Sequence, residues 1–128
     1  MDPRSLLNEQ QLDAVTVEGG ATLVLAGPGS GKTRVLTHRI AHLITEMNVP
    51  PQRILAVTFT NKAANEMKKR LESMVPDGAK SVWLGTFHSI CVRILRREAR
   101  YLPVDANFTI YDVDDQVALI KTIIKDLN

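Results

Sequence analysis

The residues that most directly indicate chemistry form one stretch, Ala26-Gly27-Pro28-Gly29-Ser30-Gly31-Lys32-Thr33. Glycine lets successive backbone N–H groups turn inward around phosphate oxygens, where a side chain would block their approach. The Lys32 ammonium would reach the β- and γ-phosphates, and the hydroxyl of Thr33 would ligate Mg²⁺. Ala26 replaces the first glycine of the strict pattern, which is a small departure. The stretch predicts a P-loop for a nucleoside triphosphate, and the alternative is a glycine-rich turn without a ligand.

Strand-like apolar runs alternate with helix-like periodic segments around this loop, which predicts β-α-β units on a parallel sheet. Strands are predicted at residues 22–26, 54–59 and 81–85, with a short one at 108–111. Helices are predicted to begin at Thr33, at Thr60 or Asn61, near Phe87 and near Asp115. The P-loop would therefore connect the first strand to the helix that follows it, in a protein of the α/β class.

Composition indicates a globular protein of about one domain. The chain has 128 residues, of which 45% are apolar and 23% charged. Residues 1–10 are polar and no apolar run is long enough to span a membrane, so neither a signal peptide nor a membrane partner is expected. Cys91 is the only cysteine, which excludes an internal disulfide and a thiolate zinc cluster. A cytoplasmic location is therefore predicted.

Charge is unevenly distributed along the chain. Residues 1–100 carry 14 Lys and Arg against 9 Asp and Glu, a net charge of +5, whereas residues 101–128 have a net charge of −3. The basic excess lies mainly at 62–70 and 93–100. The second stretch, with Arg93, Arg96, Arg97 and Arg100, could contact phosphates, but a solvated helix face is the favoured interpretation.

Aromatic and polar side chains lie at the carboxyl ends of two of the predicted strands, where parallel sheets usually bind their ligands. The first set is Phe59, Thr60, Asn61 and Lys62, and the second is Thr86, His88 and Ser89. An aromatic ring there can stack on a base while hydroxyl and amide groups contact phosphate. Burial in the core is the alternative for Phe59 and the favoured prediction for Phe87. His38 and His42, which lack a metal-site pattern, are predicted to lie on the surface.

Four segments resemble the amino-terminal part of the UvrD/Rep/PcrA helicases of superfamily 1. They are Leu7-Asn8-Glu9-Gln10-Gln11 followed by Asp13-Ala14-Val15, the P-loop with Arg34, Ala56-Val57-Thr58-Phe59-Thr60-Asn61-Lys62-Ala63-Ala64, and Gly85-Thr86-Phe87-His88-Ser89. The resemblance implies a RecA-like P-loop fold, a three-layer parallel sheet flanked by helices and incomplete in this chain. It also implies an ATP- and Mg²⁺-dependent 3′–5′ helicase that acts on single-stranded DNA and single/double-strand junctions in repair and replication.

The same resemblance assigns roles to individual residues. Gln11 is implied to recognise adenine. One alternative is that Gln10 does so instead, and another is that this segment is an ordinary helix start capped by Asn8. Arg34 is similar to a nucleotide-contacting position, although a surface salt bridge is also compatible with its place in the sequence. Phe59 is implied to stack on single-stranded DNA. The remaining implied DNA contacts are Thr60, Asn61, Lys62, Thr86 and His88.

The acids that a P-loop ATPase needs for hydrolysis are not obvious in this sequence. Asp112, Asp114 and Asp115 follow a short apolar run, but Asp114 and Asp115 precede an amphipathic segment and are interpreted as helix caps and partners of the helix dipole. By resemblance, residues 1–107 are expected to form part of domain 1A and residues 108–128 to begin subdomain 1B. The chain is therefore expected to be a fragment that binds ATP weakly and associates with itself through unpaired sheet edges. The alternatives are a stand-alone nucleotide- or DNA-binding module and a small P-loop kinase.

Overall fold

The computed structural model describes residues 6–127, so residues 1–5 of the predicted polar start lie outside the described part of the chain. The chain divides into two compact units, Met1–Cys91 and Val92–Asn128. The division falls inside the helix Phe87–Arg97. The predicted domain boundary between residues 107 and 108 stays a prediction.

The first unit is an α/β structure built on two parallel strands. Its elements are α1 (Glu9–Thr16), α2 (Lys32–Thr45), a 3-10 turn (Pro51–Arg53), β1 (Leu55–Thr58), α3 (Asn61–Met74), α4 (Pro76–Ala79), β2 (Trp83–Thr86) and the start of α5 (Phe87–Arg97). The strands pair from Leu55 opposite Trp83 to Thr58 opposite Thr86. Parallel strands need a crossover connection, and α3 with α4 supplies it. The second and third predicted strands and the helices after them are therefore confirmed, with shifts of one or two residues at their ends.

The core of this unit lies where α2 and α3 meet the strands. Its buried residues are Ile40, Ala41, Ile54, Met67, Leu71, Ala79 and Val82. The contribution of α3 follows from its sequence, since Ala64, Met67 and Leu71 recur at helical spacing and are all buried. Thr60 caps this helix, because its Oγ1 accepts a hydrogen bond from the Ala63 N–H at 3.1 Å.

The side chains that α2 buries differ in part from those predicted. Ile40 is buried as expected, but Leu36 and Met47 are exposed. His38, predicted to lie on the surface, is buried, and its Nδ1 lies 2.8 Å from the carbonyl oxygen of Arg34. His42 is partly buried, and its Nδ1 has no hydrogen-bond partner within residues 6–127. Because α2 contacts both α1 and α3, part of its polar surface is covered too.

Residues 22–26, the predicted first strand, are not in a strand. Leu23 and Leu25 are 82% and 85% exposed, and the sheet of the described region contains only β1 and β2. A strand needs a neighbour whose N–H and C=O groups pair with its own, and an apolar sequence does not supply one. The short strand predicted at residues 108–111 is likewise not formed.

The second unit contains the rest of α5, a 3-10 turn at Ala99–Tyr101, and α6 (Val113–Leu127). Two aspartates cap α6 reciprocally. The Asp115 N–H donates to Asp112 Oδ1 at 2.9 Å, and the Asp112 N–H donates to Asp115 Oδ2 at 3.2 Å. The interpretation as a capping residue is therefore confirmed for Asp115, whereas its partner Asp112 was not among the expected caps. Asp114 lies in the first turn of α6, where an acidic residue favours the helix dipole. Across residues 6–127, each helix is too short or too polar to cross a bilayer.

Candidate functional site

The P-loop backbone has the conformation that its glycines predict. Gly29 and Gly31 have φ angles of 76° and 82°, in the left-handed region that other residues rarely adopt. Gly31 is the N-cap of α2, and no side chain within the described residues caps that end of the helix. The first N–H groups of α2 therefore have no side-chain acceptor and could receive an anion.

Lys32 lies over the P-loop. Its Nζ donates hydrogen bonds to the carbonyl oxygens of Ala26 at 2.9 Å and of Gly27 at 2.7 Å. The Gly27 oxygen also accepts from Ser30, whose Oγ lies 2.7 Å away and whose backbone N lies 3.3 Å away. The ammonium is exposed, and its partners are neutral carbonyl groups rather than a carboxylate. A bound phosphate would compete with these carbonyls and would form a stronger, charge-assisted bond.

Gln11 joins α1 to the P-loop. Its Nε2 donates to the carbonyl oxygen of Ser30 at 2.9 Å, and its Oε1 accepts from the backbone N–H of Asn8 at 3.1 Å. Asn8 in turn caps α1, with its Oδ1 2.9 Å from the Gln11 nitrogen. The capping alternative is therefore correct for Asn8, but Gln11 does more than complete the cap. Its amide retains one hydrogen and one lone pair for a further partner.

Two arginines of α2 hold the segment that carries Gln11. The Arg39 Nη1 donates to the carbonyl oxygen of Val15 in the last turn of α1 at 2.6 Å, and the Arg34 Nη1 donates to the carbonyl oxygen of Leu6 at 3.3 Å. Arg34 thus contacts the backbone three residues before α1, and within residues 6–127 it does not make the surface salt bridge considered above. Sequence reasoning missed Arg39, whose position on α2 gave no signal that it would reach α1.

A cleft of about 220 Å³ lies between α1 and the P-loop. Its polar lining is Asn8, Gln10, Gln11, Ser30 and Lys32, and its apolar lining is Ala14, Val24, Leu25, Ala26 and Val35. The cleft combines an ammonium, an amide and an apolar wall, which is the mixture that ligand pockets commonly have. Gln11 lies 19 positions before Ser30 and 21 before Lys32 in the sequence. The cleft brings these three residues together, as expected for residues that bind one ligand. Gln10 shares the lining, so the choice between the two glutamines stays open.

Thr33 is the second residue of α2, directly after Lys32, and is partly buried. Its carbonyl oxygen accepts a hydrogen bond from the Thr37 hydroxyl at 2.7 Å. The predicted Mg²⁺ ligand is the other polar group of this residue, its own hydroxyl. Residues 6–127 contain no cluster of three acidic, histidine or cysteine side chains that could hold a metal ion.

The ends of β1 and β2 carry an exposed aromatic pair, Phe59 and Phe87. Phe59 is 89% exposed and Phe87 is 47% exposed, with ring centroids 5.4 Å apart and planes tilted by 48°. The prediction that Phe87 is a core residue is therefore wrong. It is the first residue of α5, so its ring lies beside the carboxyl ends of the strands instead of in the core. Its position beside Phe59 is evident only from the strand register.

The other predicted DNA-contacting residues around this pair differ in whether their side chains are exposed to a ligand or engaged in the fold. Asn61, Lys62 and His88 are exposed. The Thr60 hydroxyl caps α3, as described above. Thr86 is buried, and its Oγ1 lies 3.2 Å from both the backbone nitrogen and the Oγ of Ser89. The exposed residues can thus reach a ligand directly, whereas Thr86 fixes the first turn of α5.

Three arginines of the second unit have contacts within that unit. Arg96 lies over the Phe108 ring at 5.5 Å, and Arg100 lies over the Tyr101 ring at 4.6 Å. Arg97 pairs with Glu98 at 3.4 Å. These contacts agree better with a solvated helix face than with a free track of phosphate-binding residues.

The family model described as UvrD/REP helicase N-terminal domain matches residues 7–128. Among curated proteins, the ATP-dependent DNA helicase PcrA of Staphylococcus aureus (strain COL) is 53% identical over 122 residues. The protein of the same name from Staphylococcus epidermidis (strain ATCC 12228 / FDA PCI 1200) is 54% identical over 122 residues. Each alignment covers 95% of this chain but only 17% of the relative. The resemblance stated from the four motifs is therefore confirmed.

Proposed function

The chain belongs to the UvrD/REP helicase N-terminal domain family, and from that premise we propose that it supplies part of the ATP site and of the DNA track of an ATP-dependent 3′–5′ DNA helicase. Such a protein would act on single-stranded DNA and at single/double-strand junctions, in repair and replication. The chain spans about 17% of the length of its relatives. Residues 1–107 would belong to a RecA-like, three-layer domain 1A, and residues 108–128 to the start of subdomain 1B.

The observation that carries the proposal is the convergence of Gln11, Ser30 and Lys32 on one cleft. Lys32 would bind the β- and γ-phosphates, and the backbone N–H groups from Gly27 to Thr33 would surround them. Mg²⁺ would be held by the Thr33 hydroxyl together with phosphate oxygens and would neutralise phosphate charge. Gln11 would offer adenine a donor and an acceptor, which guanine cannot match in the same orientation. Arg34 would lie near the nucleotide once its bond to Leu6 is released.

The proposed DNA contacts lie at the carboxyl ends of β1 and β2. Phe59 would stack on a base, while Asn61, Lys62 and His88 would contact the phosphate backbone. Thr60 and Thr86 would act mainly by fixing the first turns of α3 and α5, since their hydroxyls are engaged there.

Calorimetric titration with MgATP tests the nucleotide site. Because charged hydrogen bonds contribute about 1.5–3 kcal/mol, Lys32→Ala should weaken binding by about tenfold or more. Lys80→Ala is the matched control, since Lys80 is an exposed lysine outside the cleft. Equal affinity in the wild type and Lys32→Ala would contradict the assignment.

ATP hydrolysis with and without single-stranded DNA tests what the chain does alone. We expect no turnover in either condition, because the described lining of the cleft contains no carboxylate that could orient the attacking water. DNA-stimulated turnover that Lys32→Ala abolishes would contradict this expectation. Salt-dependent binding of an oligonucleotide separates a helicase component from a P-loop kinase, because only phosphate contacts with a nucleic acid release many counterions.

A further inference from the structure

We propose that Phe87 is a positioning residue that holds the Phe59 ring in place for stacking on a base of single-stranded DNA; this rests on the proposed function of the first unit. The starting observation is that both rings lie against each other in solvent. Phe59 is 89% exposed and Phe87 is 47% exposed. Apolar side chains exposed together, next to polar groups, commonly mark an interaction site.

The backbone beside each ring is held by hydrogen bonds. On the Phe59 side, the Thr58 hydroxyl donates to the Thr60 carbonyl oxygen at 3.0 Å, across the residue between them. On the Phe87 side, the Ser89 hydroxyl donates to the Thr86 carbonyl oxygen at 2.9 Å. The main freedom left to Phe59 is rotation of its side chain.

The sheet register places the two phenylalanines next to each other. Thr58 is paired with Thr86, and each phenylalanine directly follows its threonine. The ring centroids lie 5.4 Å apart with a 48° tilt, inside the separation range of favourable aromatic pairs. Without this contact, a ring as exposed as Phe59 would exchange among its staggered rotamers.

The division of roles follows from the exposure. Phe59 has most of its surface available and would receive the base. Phe87 has half of its surface covered and would restrict the rotamers of Phe59. A side chain already held in its bound rotamer loses less entropy when the ligand arrives, which increases affinity. Lys62 and His88 lie close in sequence to the two rings and would attract the phosphate backbone that carries the base.

The test uses the 128-residue chain and an oligo(dT) strand that contains one 2-aminopurine, whose fluorescence is quenched on stacking. Phe87→Ala should weaken binding about threefold to tenfold and reduce the quenching, as the loss of one immobilised side chain implies. Phe87→Tyr keeps the ring and should restore both. The matched control is Tyr101→Ala, which removes a 71% exposed ring outside the pair and should change neither.

A double-mutant cycle distinguishes positioning from a separate contact. If Phe87 acts through Phe59, then Phe87→Ala should have no further effect in a Phe59→Ala background. An equal loss in both backgrounds, or none in either, would overturn the proposal.

Side-chain NMR of Phe59 without DNA provides the readout that does not depend on binding. The wild type should show one dominant χ1 rotamer, and Phe87→Ala should show averaging. Averaging among χ1 rotamers of Phe59 in the wild type would overturn this inference but would leave the proposed function intact. A fixed ring in a wild-type chain that binds no strand would instead overturn the proposed function, and with it the role assigned to the ring.

Discussion

Gln11 uses one side chain for two bonds, accepting from Asn8 and donating to the P-loop carbonyl of Ser30. Its amide is therefore oriented before any nucleotide arrives, and one hydrogen and one lone pair remain for a base. Gln10, the neighbouring alternative, lines the same cleft and is more exposed than Gln11. Gln11 is thus the more firmly oriented of the two glutamines, and the choice between them stays a prediction that substitution can test.

Substitution of each glutamine in turn separates the two possibilities. Gln11→Ala should reduce the preference for ATP over GTP by roughly threefold to tenfold, because one or two net hydrogen bonds of about 1 kcal/mol are lost. Gln10→Ala should leave the preference unchanged. Competition titrations with the two nucleotides measure it. The reverse ranking of the two variants would assign base recognition to Gln10.

Gly31 is required for two separate reasons. Its φ of 82° disfavours any side chain. A Cβ there would also lie 2.9 Å from Gln11 Nε2, the end of a flexible side chain that would have to move and give up its hydrogen bond to Ser30. Gly31→Ala should therefore destabilise the fold by more than the roughly 1–2 kcal/mol of a left-handed residue alone. Gly20→Ala is the control, since Gly20 has a φ of 67° and open space around its Cβ position. Urea unfolding should show the larger loss for Gly31→Ala, and a Gln11→Ala background should reduce the difference. An equal loss at both glycines would show that the contact with Gln11 is unimportant.

The glycine conformations at Gly29 and Gly31, the Thr60 cap and the capping role of Asp115 could be predicted because each depends on a few residues close together in the sequence. Phe87 and Arg39 could not. The contact of Phe87 with Phe59 depends on the register of two strands, and the bond from Arg39 to Val15 joins residues 24 positions apart. Apolar periodicity predicted that Phe87 lies in the core, because periodicity identifies the apolar face of a helix. It does not show that the first residue of α5 lies beside the carboxyl ends of the strands, outside the core.

At the scale of elements, α1 is a helix of only eight residues that depends on its contacts with α2. A helix this short is marginal on its own. It buries Val15, and the carbonyl oxygen of that residue accepts the Arg39 hydrogen bond in the last turn, where α1 has no basic residue of its own. The guanidinium therefore supplies the positive charge that favours a helix carboxyl end.

Arg39→Met keeps the length of the side chain and removes this bond, so it should destabilise α1 by about 1.5–3 kcal/mol. Hydrogen exchange should show faster exchange for the amides of α1, while α3 should be little affected. Arg70→Met, at an exposed arginine of α3, should change neither helix. A uniform loss of protection across both helices would mean that Arg39 stabilises the unit generally instead of anchoring α1.

The same scale shows why strands were predicted less well than helices. The helices α2, α3 and α6 form as predicted because the backbone N–H and C=O groups of a helix form their hydrogen bonds within the helix itself. Residues 22–26 are as apolar as β1, yet they form no strand because the described chain gives them no pairing partner. A sequence can indicate that a segment favours an extended conformation, but the partner depends on the rest of the sheet.

At the scale of the whole molecule, the exposed side chains of Leu23 and Leu25 in an unpaired, apolar segment predict association between copies of the chain. Sedimentation velocity should show dimers or larger species that increase with concentration, and thermal unfolding should depend on concentration. The double variant Leu23→Lys/Leu25→Lys introduces like charges on the exposed side chains and should restore the monomer. Leu127→Lys, which changes an 81% exposed leucine elsewhere, should not. A sharp unfolding transition at one temperature over a hundredfold range of protein concentration would contradict the prediction, because pairing through this segment must follow mass action.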